Sequence, residues 1–119
     1  MMEKAICMTL EDGEDLIVSF AIPMGEEGDV KSLILLRTPQ YEFALDESER
    51  GVMVSHDDFP DEADDLLKEL KIVGDDVTIA THRRNYTIDI KDVEEEEIEE
   101  AKTILKKMNF DGQFTLKIN

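Results

Sequence analysis

Three stretches of the chain bring chemistry-bearing side chains close together. In the first, Ser55-His56-Asp57-Asp58-Phe59-Pro60 and the residues after it, one imidazole precedes six carboxylates between Asp57 and Asp65. Imidazole and carboxylate together are a ligand set for a divalent cation. The order, however, lacks the alternating acids, central glycine and closing glutamate of a calcium loop. A zinc-protease helix motif is also missing, and His56 and His82 are the only histidines. No metal or cofactor is therefore expected.

A helix start accounts for the same residues in another way. Asp58 suits an N-cap and Pro60 a first turn that has no use for its missing donor. Acids in that turn oppose the positive end of the helix dipole. Phe59, Ala63, Leu66, Leu67 and Leu70 recur at spacings of three and four, which predicts a helix closed by Gly74.

The second stretch, Thr81-His82-Arg83-Arg84-Asn85-Tyr86-Thr87, is a basic island in an acidic chain. Paired guanidinium groups bind carboxylate or phosphate, so His82, Arg83, Arg84 and Tyr86 form a candidate ligand site at a hairpin tip. The same loop could meet an acidic face of a second copy and form a homodimer. The third stretch holds seven acids between Asp92 and Glu100. Consecutive glutamates fan out around a helix instead of converging, which suits a solvated face or a docking surface better than acid–base catalysis. Cys7, the single cysteine, has no basic neighbour or helix start to activate it. It is expected as a small buried residue in a reducing cytoplasm.

The elements that position these groups follow from apolar periodicity. Ile6, Met8 and Leu10 alternate up to an Asp12-Gly13 turn, and Leu16, Val18, Phe20 and Ile22 alternate on the return, a hairpin signature. Pro23 and the Gly25–Asp29 segment close the second strand. Leu33 to Leu36 form a continuous apolar run, as in a central strand covered on both faces. Tyr41–Leu45 and Gly51–His56 flank a turn and predict another hairpin. After the first helix, Val77 and Ile79, then Tyr86, Ile88 and Ile90, alternate across the arginine loop. A second helix follows, N-capped by Asp92, with Ile98, Ala101, Ile104, Leu105 and Met108 on its apolar face. Phe114, Leu116 and Ile118 alternate in a last strand. The expected fold is α+β: a mostly antiparallel sheet of about seven or eight strands, opening with a meander, and two helices packed on one face. The 119 residues suit a single domain spanning residues 1–119.

Charge narrows the function classes. Thirty acids against 13 bases give a formal −17, a field that repels nucleic acid and anionic membrane surfaces. No apolar run approaches the ~20 residues of a membrane span, and the first residues lack the pattern of a signal peptide, so a cytoplasmic, soluble protein is expected. The absence of nucleophile and phosphate-loop motifs weighs against an enzyme. The leading expectation is a non-catalytic acidic module that engages a basic partner protein through Asp57, Asp58, Asp61, Glu62, Asp65, Glu94, Glu95, Glu96 and Glu97. The alternative is a domain that binds a small molecule, anion or cation near Arg83 and Arg84.

Overall fold

A computed structural model describes residues 2–24, 28–62 and 65–118. Its strands are β1 (Met2–Lys4), β2 (Cys7–Asp12), β3 (Leu16–Pro23), β4 (Val30–Arg37), β5 (Met53–His56), β6 (Asp65–Val73), β7 (Asp76–Thr81), β8 (Asn85–Asp89) and β9 (Thr115–Ile118); the one α-helix among the described residues is α1 (Glu95–Met108). The strands form one sheet in the order β1-β8-β7-β6-β5-β4-β3-β2, with β9 added alongside β6. Pairing is antiparallel throughout except for β1 with β8 and β6 with β9, which are parallel. The sheet is therefore mixed and mostly antiparallel.

The two ends of this order are neighbours in the chain. Only Ala5 and Ile6 separate β1 from β2. The Ala5 N–H donates to Asp89 O and the Ile6 N–H to Ala21 O, each at 3.0 Å. Residues 2–12 thus form one bent ribbon that joins β8 to β3 and closes the ladder on itself.

The inside of this closed ladder is the core. Along β3, Leu16, Val18, Phe20 and Ile22 are buried; along β4, Leu33 and Leu35; along β7 and β8, Val77, Ile79, Tyr86 and Ile88. The period-two pattern that predicts these strands also selects their buried face. Helix α1 adds Ala101, Ile104, Leu105 and Met108, the stripe expected from spacing, while Ile98 is half-buried. The helix begins at Glu95 with Glu94 as its N-cap, so Asp92 is free to pair with Lys4 at 2.9 Å.

The first expected helix does not exist. Pro60–Glu62 makes one short 3-10 turn, and Asp65–Val73 is strand β6. Ala63 lies outside the described residues. The β6–β7 register shifts between Leu67 and Glu69. This bulge inserts one residue, so the buried set becomes Asp65, Leu67, Leu70 and Ile72, and the step from Leu67 to Leu70 copies helical spacing. Gly74 then takes a positive φ of 60° in the two-residue turn before β7. Such a turn and a helix C-cap make the same demand on glycine.

Two smaller expectations also change. Pro39–Ala44 is a 3-10 segment, not a strand, because β5 occupies the place beside β4 through Leu36↔Met53. Cys7 is exposed, since it shares the outward face of β2 with Thr9 and Glu11. In β4, Leu33 and Leu35 are fully buried, but Ile34 and Leu36 are only partly covered.

Candidate functional site

His56 and the arginine loop, far apart in sequence, meet in one open pocket of ≈ 770 Å³. The end of β5 and the turn after it supply His56, Asp58 and Phe59, the β7–β8 turn supplies Arg83 and Arg84, and β8 supplies Tyr86. β1 adds Glu3 and Lys4, β4 adds Lys31, and Ile22, Pro23 and Met24 form an apolar wall.

Sheet geometry fixes the centre of the site. His56 ends β5 on its buried face and is 3% exposed. Its Nδ1 accepts the Asp58 backbone N–H at 3.0 Å, so the ring proton sits on Nε2, which donates to Glu3 Oε1 at 3.0 Å. The imidazole stacks on Tyr86, with centroids 5.3 Å apart and planes 7° from parallel. Phe59 tilts against its other side at 5.6 Å.

Charges around this stack are paired. Lys31 Nζ lies 2.8 Å from Glu3 Oε2 and 2.9 Å from Asp58 Oδ2. Its hydrogen bonds to Glu3 and Asp58 raise the lysine pKa, and the Lys31 bond holds the Asp58 carboxyl below its ordinary range. Arg84 grips Glu62 with two bonds of 2.7 Å while its guanidinium lies 3.4 Å above the Phe59 ring. This fork lowers the Glu62 pKa. Burial pushes the Tyr86 phenol up, which keeps it protonated and able to donate.

Glu3, His56 and Asp58 present ligand atoms within 4.8 Å of one another, a donor set suited to a divalent cation. Lys31 competes for the same carboxylate oxygens. A metal ion would have to displace its ammonium group.

The acids expected to face a partner divide into two groups. Asp57 accepts the Ser32 backbone N–H at 2.9 Å, and Glu97 accepts that of Met8 at 2.8 Å, on the margin of β2. Asp58 and Glu62 are paired as above. Asp65 is not on the surface: it is 3% exposed, takes the Thr81 hydroxyl and the Arg83 backbone N–H at 3.2 Å, and so organises the arginine turn. Asp61, Glu94, Glu95 and Glu96 are exposed, and no side-chain bond engages them among the described residues. His82 is exposed and lies outside the pocket lining.

Glu3 and Lys31 carry no local signal, because β1 reaches the site through its parallel pairing with β8 and β4 through its antiparallel pairing with β5. Arg37 did carry one. Period two from Leu33 and Leu35 places it on the buried face of β4, and it is 1% exposed. Its guanidinium donates five bonds: two to Glu42, two to Asp111 and one to Met108 O, at 2.7–2.8 Å.

The fold and site define a closed mixed β-sheet with one helix and a polar pocket at one end of β5 and β8. Comparison with known proteins gives no match to any protein-family model, curated protein or solved structure.

Proposed function

We propose that this chain is a binding domain whose pocket takes a small polar molecule with an apolar face. The observation that carries this reading is the Tyr86 hydroxyl. Tyr86 is nine-tenths buried, yet its hydroxyl has no hydrogen-bond partner among the described residues. Buried side-chain nitrogen and oxygen atoms there all have partners, so this hydroxyl must reach solvent, and the pocket is what Tyr86 lines. A neutral phenol offers a donor to an oxygen or nitrogen acceptor on a ligand.

Charge sets the ligand class. Three of the lining cations, Lys4, Lys31 and Arg84, are already held in ion pairs, with Asp92, with Glu3 and Asp58, and with Glu62. Charges already paired within the protein favour a ligand without net charge over a strong anion or cation. The apolar wall and the exposed side of the aromatic cluster favour a flat one. Binding is favoured over catalysis because both His56 nitrogens are already engaged, which leaves no free general base at the centre.

The test is protein-observed NMR with three matched fragment sets: neutral aromatic amides, aromatic carboxylates and aromatic amines. Neutral amides should shift the amides of residues 56–59 and 83–86, and Tyr86→Phe should weaken them by about tenfold without loss of folding, the effect of one lost hydrogen bond. Carboxylates or amines binding more tightly than amides would overturn the ligand class. No shifts at these residues from any set would overturn the site.

A further inference from the structure

The opposite half of β4–β6 carries a second surface. Register pairs Leu36 with Met53 and Met53 with Leu66, so these three side chains form a row across three strands on the outer face of the sheet. Tyr41 and Leu45, on and just after the 3-10 segment, overhang the row. Two hollows of ≈ 200 and ≈ 360 Å³ run along it and share Leu45, Glu49 and Met53, which makes them one groove. Tyr41 is 65% exposed and Phe43, on the same 3-10 segment, 81%. An apolar groove lined by an exposed aromatic residue, with a second on the same segment, is unusual on a surface that meets only water.

Its rim is acidic. Asp46, Glu47 and Glu49 are exposed, and among the described residues no ion pair engages them. The one base in this segment, Arg50, spends its guanidinium on Leu45 O at 3.0 and 3.2 Å. A second copy of the chain is a poor occupant. A two-fold contact would set this rim against itself between molecules that each carry −17. Charge complementarity points to a segment of opposite sign.

We propose that the groove formed by Leu36, Tyr41, Leu45, Met53 and Leu66 docks a basic amphipathic helix of another protein. Apolar residues of that helix at i, i+3, i+4 and i+7 enter the groove, and its lysines or arginines meet Asp46, Glu47 and Glu49. The acidic module expected from composition thus acquires a location, at acids other than those singled out by their clustering. The pocket at Tyr86 plays no part in this interaction.

The probe is a fluorescein-labelled synthetic helix of leucine and lysine with leucines at those positions. Its controls are a scrambled peptide of the same composition and a leucine–glutamate version. The Leu/Lys helix should bind with NMR shifts centred on residues 36, 41–49, 53 and 66, and affinity should fall as salt rises, since exposed charges are screened over about 8–10 Å. Tyr41→Ser, at a side chain that lines the groove yet is mostly exposed, should keep the melting temperature and weaken binding by about tenfold or more. Equal binding of the scrambled peptide would reduce the effect to bulk charge and overturn the groove. Equal binding of the glutamate version would overturn the acidic rim. Shifts centred on Glu94–Glu96, or an affinity unmoved by Tyr41→Ser, would overturn the location, and a Tyr41-dependent dimer would overturn the basic helix and assign the groove to a second copy.

Discussion

Replacing Arg37 with methionine should unfold one end of the molecule's support without touching the pocket. Methionine has a similar reach but no donors. The substitution removes all five guanidinium hydrogen bonds and the stacking of Arg37 on Phe110, 4.3 Å from the ring centroid. It leaves two carboxylates facing each other, Glu42 at 12% and Asp111 at 29% side-chain exposure. Breaking a buried ion pair from one side costs about 3–5 kcal/mol. Because both carboxylates regain some water, the lower end, about 3 kcal/mol, is the expected loss. For a domain of this size that corresponds to a fall in melting temperature of about 12 °C. Arg37→Lys retains the charge but not the fork, and should cost about half as much.

The assay is urea and thermal unfolding of the wild type and both variants, with NMR to locate the damage. Arg37 joins Glu42 of the 3-10 segment to Asp111 and to Met108 O at the end of α1. Shift changes should therefore concentrate at residues 38–45 and 108–112 and spare His56 and Tyr86. The groove peptide should bind Arg37→Met more weakly, since Glu42 positions the segment that carries Tyr41 and Phe43. A variant that melts within about 3 °C of the wild type would refute the reasoning. It would mean that the buried charge costs as much in lost solvation as its five bonds return.

Three further perturbations test the remaining networks. The Arg37 bond holds the Asp111 carboxyl below its ordinary range, so its stabilisation is present above the unfolded value of about 3.9 and is lost as pH falls through the lower folded value. Asp111→Asn should accordingly cost about 1 kcal/mol at neutral pH, discounted for exposure, and the gap to wild type in urea titrations should close below about pH 3; a gap constant with pH would contradict this. Asp65→Ala strips the Thr81 hydroxyl and the Arg83 amide of an acceptor and should cost about 1–3 kcal/mol, with faster hydrogen exchange at residues 82–84; unchanged exchange there would show that the turn holds itself. Lys31→Ala frees Glu3 and Asp58 beside His56 and should tighten Co²⁺ binding by about tenfold or more, read by visible absorption; equal binding by wild type would show that the ammonium group does not compete.

The sequence was most legible where one periodicity met its own stop signals. The α1 stripe and the β2–β3 hairpin satisfy this, the first through spacings of three and four, the second through alternation around Asp12-Gly13. Legibility failed where a tertiary feature imitated the other periodicity. The bulge in β6 turned a strand into an apparent helix, and Pro60 and Gly74, as breakers with more than one use, seemed to bracket it. Tyr41–Leu45 alternates like a strand, but β5 already fills the sheet position beside β4, and alternation without a pairing partner makes no strand. The pocket was half legible. Arg83, Arg84 and Tyr86 stood out as a basic island, and His56 stood out through its acids. Their meeting depends on sheet order, and Glu3 and Lys31 enter through pairings that no local pattern encodes.

The bent ribbon of residues 2–12 carries a consequence for how the chain is made. Its second half can zip onto β3 as soon as residue 23 has emerged, a local event of the kind that forms in microseconds. Its first half must wait for β8, more than eighty residues later, so β1, which precedes every other strand, is among the last to pair. Until then the outer margin of β8 stands bare, a template for strangers. Loop closure over so long a span slows this step. A bulky fusion at the amino terminus should retain the ribosome-proximal folding steps and impair this one. Pulse-labelled hydrogen exchange is the direct check: the amide of Ala5 should gain protection after that of Phe20, and simultaneous protection would show that the ribbon closes as one piece.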